Sequence, residues 1–398
     1  MRRVLVLAAG AFALGLDAYV MAGLLPVIAG DLHTTEAVVG QMVTAFTLAY
    51  ALAAPLCAGL LARARLRTVV TAALTVFTLA NALTAVAGSL TLLIVARVIA
   101  GAGAGLYSAQ ASTAAAALVP EARRGRALGT VMGGMSAGTV LGVPLGILLA
   151  DTAGWRATLW LITGLGALVL ILLAVALPDI PAGPAVAARD RFAVLIDRRV
   201  AGIVAVSFLA AVASLGLYTY LAPVLHTAAG ASPTAITGYL WVWGAGGVLG
   251  SLLVGPLLDR RSRADGGHLR TAVVLAMAAL TLALATLVPL GHLTAAGVIA
   301  PLLIWGASGW ALQVPQQHRL LQVGGPTRGG IAVAANNSAL YLGSAAGSAL
   351  GGTILATHTT PTVLPWAATT IATLGLAIAT LSALRRTRTD ATPEPAHA

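Results

Sequence analysis

The chain contains no lysine, one cysteine and few charges, 9% of its 398 residues. Each scarcity excludes something. A single thiol, Cys57, permits no disulfide within the chain, and in an apolar run it reads as a small packing residue. Without lysine no P-loop of the G-x-x-x-x-G-K-[ST] type can form, so nucleotide-driven work through that motif is excluded. The glycine run Gly101-Ala102-Gly103-Ala104-Gly105 follows no strand and is not a nucleotide loop. No Ser/His/Asp or Cys/His constellation points to an enzyme. His33, His226, His292 and His358 all map to connecting loops and lack metal-ligand spacing, so neither a metal nor a cofactor is expected. A soluble domain would carry roughly a quarter charged residues, and this chain does not.

What is present is apolar: 59% of residues are hydrophobic and the mean hydropathy is +0.93. A spanning helix needs about 20 apolar residues. The runs predict twelve: Val4–Pro26, Ala37–Ala62, Thr68–Ala87, Leu90–Val119, Gly125–Ala150 and Ala157–Leu177, then Val200–Val224, Thr234–Leu258, Thr271–Pro289, Thr294–Gln317, Gly330–Ala356 and Val363–Leu384. Lipid-facing backbone must satisfy its own hydrogen bonds, so the fold class is all-α. A transmembrane barrel would show alternating ten-residue segments, and these runs are longer and uniformly apolar.

All 23 basic residues are arginines, and the net charge is +11. That balance would suit a nucleic-acid binder, but the positions argue otherwise. All except Arg97 and Arg156 fall near the span ends of one side, in clusters such as Arg2/Arg3, Arg63/Arg65/Arg67, Arg123/Arg124/Arg126 and Arg260/Arg261/Arg263. This is the positive-inside pattern, which places both termini in the cytoplasm of a multi-pass bacterial inner-membrane protein with no nucleic-acid partner. The N-terminal apolar run is interrupted by Asp17 and reads as an uncleaved first helix. The predicted organisation is a six-helix unit over 1–177, a central cytoplasmic loop over 178–199, a second six-helix unit over 200–384 and a disordered polar tail over 385–398.

The two units echo each other. Gly134, Gly138, Gly142 and Gly146 recur every fourth residue in the fifth span, and Gly343, Gly347 and Gly351 do so in the eleventh. Such spacing clears one helix face for close approach. Two parallel six-helix halves around a central cavity follow.

Several segments resemble the major facilitator superfamily, specifically its twelve-helix bacterial drug:proton antiporters and the arabinose-efflux and chloramphenicol-resistance exporters. They are Gly15-Leu16-Asp17 through Gly23-Leu24-Leu25-Pro26, Arg97 with Gly101 and Gly103, and Gly138 to Gly146 with Pro144 and the trailing Gly154-Trp155-Arg156. Tyr218-Thr219-Tyr220 and Asn336-Asn337 add to the set. The resemblance implies that the fifth helix (Gly138, Gly142, Pro144, Gly146) lines the seam between halves and controls leak. It also implies a loop latch after the second and eighth helices. The second-half loop keeps the pattern as Gly255, Asp259 and Arg260, whereas the first-half loop has Arg63 where the family has an acid. That departure puts the first-half latch in doubt.

Asp17 is the one acid well inside an apolar span, and intramembrane carboxylates are costly and usually functional. Helix rise puts Asp17 roughly 21 Å above the Arg-rich side and Arg97 roughly 10 Å below the other, so the two can meet. Two roles stay open: a proton-binding group tuned by Arg97, or a permanent ion pair holding two helices together. Candidate cavity residues are Tyr19, Met21, Gln41, Gln110, Tyr218, Tyr220, Trp241, Trp243, Asn336 and Asn337, with interfacial anchoring as the competing role for the aromatics. The expected function is proton-coupled export of a small amphipathic drug, antibiotic or sugar by a monomer, driven by the proton gradient. An importer or facilitated carrier of the same fold, and a non-transporting sensor or scaffold, are the alternatives.

Overall fold

The computed structural model describes residues 1–57, 64–120, 123–180, 194, 196–261, 267–357 and 360–389. The secondary structure of these residues is helical. The first six long helices are α1 (Arg2–Asp31), α2 (Glu36–Cys57), α3 (Leu66–Ala85), α4 (Leu90–Ala117), α5 and α6 (Trp155–Ala176). Helix α5 is compound: Arg124–Ala137, one π-helical turn over Gly138–Gly142, then Val143–Ala153. The second six are α7 (Arg198–Thr219, resumed as Leu221–Ala229), α8 (Pro233–Arg261), α9 (Gly267–Leu293), α10 (Ala295–Gly325), α11 (Arg328–Ala356) and α12 (Val363–Thr389). Eleven of them have windows long and apolar enough to cross a membrane, and α8 has 29 residues. The protein is therefore an all-α membrane protein with twelve spanning helices, built as two six-helix halves.

Three local departures from the sequence reading have physical causes. Helix α1 runs through Pro26 to Asp31, because a proline near a helix end removes one hydrogen bond and an outer turn tolerates it. Helix α10 reaches Gly325, which adopts φ 61° and turns the chain directly into α11 without a polar loop. Helix α12 stays helical to Thr389, beyond Leu384, and 390–398 lie outside the described residues.

The halves repeat in packing as well as in sequence. Gly138 sits against the backbone of Phe12 in α1, and Gly343 sits against that of Phe208 in α7. One rung along, Gly142 lies on Leu16 and Gly347 on Val212. The fourth and tenth helices match too: Gly101 touches the carbonyl of Phe46 in α2, and Gly306 touches that of Trp243 in α8. In each case a side chain would occupy space already taken by another helix.

Candidate functional site

Asp17 and Arg97 meet. Arg97 Nη1 donates to Asp17 Oδ1 at 2.7 Å, with both side chains almost completely buried. Asn81 of α3 accepts a weaker bond from the same nitrogen at 3.4 Å, and its amide donates to Phe77 O in its own helix. The Arg97 guanidinium lies 4.2 Å from the centroid of the Phe46 ring. Asp17 Oδ2 and Arg97 Nε have no hydrogen-bond partner. The pair is thus set among α1, α2, α3 and α4 of the first half.

From this pair a line of contacts reaches the seam. Phe46 and Tyr50, one turn apart on α2, have ring centroids 6.2 Å apart. Tyr50 stacks on Tyr341 of α11 at 3.6 Å and 25°. Two side chains, Phe46 and Tyr50, therefore connect the Arg97 charge inside the first half to Tyr341 of the second.

The seam itself is aromatic. Tyr19 lies about 200° around α1 from Asp17 and faces the second half. It meets Tyr218 edge-on at 5.7 Å and Trp243 at 6.1 Å, and Tyr218 packs on Trp243 at 4.3 Å. Tyr19, Tyr218 and Tyr341, with Thr47, Thr219 and Ser344, border a cavity of about 20 Å³, room for a single water.

Closure is one-sided. Toward the Arg-poor helix ends, Ser348 Oγ donates to Gly40 O across the seam at 3.4 Å. Tyr220 donates to Ser348 O at 2.9 Å while lying on Gly40, and Gln41 lies on Gly352. Val140 of α5 meets Gly244 of α8. Two turns nearer the Arg-rich end on the same face of α5, Gly133 meets nothing within 4 Å. Asn337, one turn beyond Tyr341, is exposed.

The remaining candidates scatter. Met21 is buried within α1, and Gln110 is half-buried on α4. Trp241 is 40% exposed, on a different face of α8 from buried Trp243. Asn336 is fully buried with neither amide atom partnered, while its neighbour Asn337 is exposed. The glycine face of α5 packs on α1 inside its own half, and the seam is met from another face of that helix by Val140. Pro144 follows the π-turn, whose extra residue per turn absorbs the clash and the lost hydrogen bond a proline brings. Gly59 and Arg63 lie outside the described residues, as do the surroundings of Gly255 and the side chains of Asp259 and Arg260. Nearby, Arg65 pairs with Asp179 and Arg67 donates to Ala174 O, tying the start of α3 to the end of α6.

Sequence reasoning overlooked Asn81, Phe46, Tyr50, Tyr341, Thr47 and Ser344. Asn81 was findable, since it is a mid-span amide like Asn336. The aromatic pairings carry no signal in one dimension.

A family model described as Major Facilitator Superfamily matches residues 7–348. The inner membrane transport protein YdhP of Escherichia coli (strain K12) is 29% identical over 385 residues, covering 97% of both chains. A chloramphenicol resistance protein of Streptomyces lividans is 34% identical over 393 residues, covering 94% of both. Among solved structures, a bacterial homologue of the human lysosomal transporter Spinster, in an inward-facing and unoccupied conformation, superposes with a TM-score of 0.76 at 17% identity, covering 99% of this chain and 98% of that one.

Proposed function

The chain belongs to the major facilitator superfamily, and from that premise we propose that it is a proton-coupled secondary transporter exporting small amphipathic molecules by alternating access. The observation that carries the proposal is the buried Asp17–Arg97 pair and its contact line through Phe46 and Tyr50 to Tyr341. An intramembrane ion pair is stable only while both charges are present. Protonation of Asp17 removes one charge and loosens Arg97 from its carboxylate. A proton then biases the two-state seam if the two states hold Arg97 differently.

The moving bodies in this reading are 1–177 and 200–384, and the Arg-rich ends face the cytoplasm. The one-sided closure then corresponds to an inward-facing state, with Gly133 and Asn337 on the open side. The Streptomyces lividans relative, by its name a chloramphenicol resistance protein, supports a drug-like cargo and the export direction.

The test is pH-driven chloramphenicol flux in reconstituted vesicles. Asp17→Asn, still folded by size-exclusion profile, loses flux driven by a pH gradient. Full gradient-driven flux in that variant sinks the mechanism.

A further inference from the structure

We infer that Asn81 is a positioning residue of the proton switch: it takes hold of the Arg97 guanidinium when Asp17 accepts a proton. The inference rests on the proton-coupled reading above and deepens it by naming the group that receives the released charge.

Protonating a buried ion pair has a cost of its own. Arginine stays charged throughout, so a neutral Asp17 leaves a cation in a dry interior, which is tolerable only if another acceptor meets it. Among the described residues of the first half, Asp17 and Arg97 are the only buried charged side chains. The other buried polar side chains there are Asn81 and the threonines Thr47, Thr78, Thr84, Thr139 and Thr158. Four of these hydroxyls donate to backbone carbonyls, and Thr78 lies against Gly166 of α6.

Asn81 alone of this set has an acceptor within reach of Arg97. Its Oδ1 lies 3.4 Å from Nη1, the same nitrogen that donates to Asp17 Oδ1 at 2.7 Å. The amide is also held the right way round. Its Nδ2 donates to Phe77 O at 3.1 Å. Turned over, it would set oxygen against that carbonyl and N–H groups against the guanidinium. On the other side of the pair, Asp17 Oδ2 has no hydrogen-bond partner, so a proton adds there without breaking one. The carboxyl then loses its charge and its pull on Nη1, and the guanidinium leans from α1 toward α3. Because Arg97 lies 4.2 Å from the centre of the Phe46 ring, that lean is felt by the side chain that leads to Tyr50 and Tyr341.

The experiment is an infrared pH titration of the purified full chain in detergent. The band of the protonated Asp17 carboxyl is assigned by its absence from Asp17→Asn. Asn81→Leu, which removes the acceptor, is expected to move the midpoint of that band toward acid by about one pH unit, a tenfold loss of proton affinity. Asn81→Gln, which restores an amide carbonyl, moves it less. A midpoint that stays in place in Asn81→Leu, or moves toward alkali, overturns the inference, as does the absence of any such band from the unaltered chain. A second measurement needs no acceptor-free variant. The chain has three asparagines, Asn81, Asn336 and Asn337, so carbon-13 in their side-chain carbonyls gives a sparse spectrum, with Asn81 assigned by its loss in Asn81→Gln. Its frequency is expected to shift in step with the Asp17 band, and a frequency constant through that titration overturns the inference. The expected shifts without flux driven by a pH gradient uphold the exchange of partners and sink the transport reading. Gradient-driven flux with an unmoved midpoint in Asn81→Leu does the reverse.

Discussion

The first and second halves each join their first and fourth helices by a buried hydrogen bond between two side chains, but the chemistry differs. In the first half the link is Arg97 to Asp17 at 2.7 Å, between α4 and α1. In the second it is Trp305 Nε1 to Ser214 Oγ at 2.6 Å, between α10 and α7. The glycine packing that aligns Phe12 with Phe208 and Phe46 with Trp243 puts these two links within one turn of equivalent positions. The same joint is thus made once with charges and once without. A neutral link suffices to hold such helices, so cohesion alone does not account for the ion pair. The pair adds a group that a proton can neutralise, and among the described residues the second half has no buried acid of this kind.

The largest expected effect separates the two links. Arg97→Leu leaves Asp17 uncompensated in a dry interior, which costs about 3–5 kcal/mol. Ser214→Ala strands only the Trp305 indole N–H, for about 1–3 kcal/mol. Thermal unfolding in detergent ranks them, and equal losses would erase the contrast between the halves.

A smaller difference is expected between matching glycine rungs. A methyl group at Gly347 would press on Val212 O and lie 2.8 Å from Gly216 Cα, both backbone atoms. At Gly142 the nearest atoms are 3.0 Å away and belong to the Leu16 side chain, which can shift. Gly347→Ala therefore costs about 1–3 kcal/mol, and Gly142→Ala costs less. The reverse order in the same unfolding assay would show that the α5 ladder is the tighter of the two.

The smallest effect on stability, though not on function, concerns Phe46 and Trp243, which occupy matching places on α2 and α8. Phe46→Leu removes a cation–π contact of about 0.5–2 kcal/mol beside the titrating pair. It is expected to displace the pH profile of flux, whereas Trp243→Phe alters cargo affinity and leaves that profile in place. Unshifted pH profiles in both variants would disconnect the ion pair from the seam.

Part of this site was readable in one dimension. A lone carboxylate in an apolar run is conspicuous because hydrocarbon penalises it, and helix rise alone placed Arg97 at a compatible depth. The glycine ladders announced close helix contact, but not which helix. Periodicity marks a face without naming what it meets, and the α5 ladder turned out to meet α1. Individual aromatics were ambiguous for the same reason. Trp241 and Trp243 differ by two residues, yet one is 40% exposed and the other is buried against Tyr218.

The sequence by itself determined that the chain crosses a membrane as twelve helices, that it is duplicated, and that one carboxylate sits in its interior. These follow from local quantities: apolar run length, spacing and the cost of charge in lipid. Only the tertiary structure decided that Asp17 faces inward to its own half while Tyr19, two residues later, faces the other. It alone brought Tyr50 onto Tyr341 from residues nearly 300 positions apart. Those outcomes depend on how each helix is rotated about its axis and on which neighbour it meets. Both are set by packing across the whole molecule, which no single segment encodes.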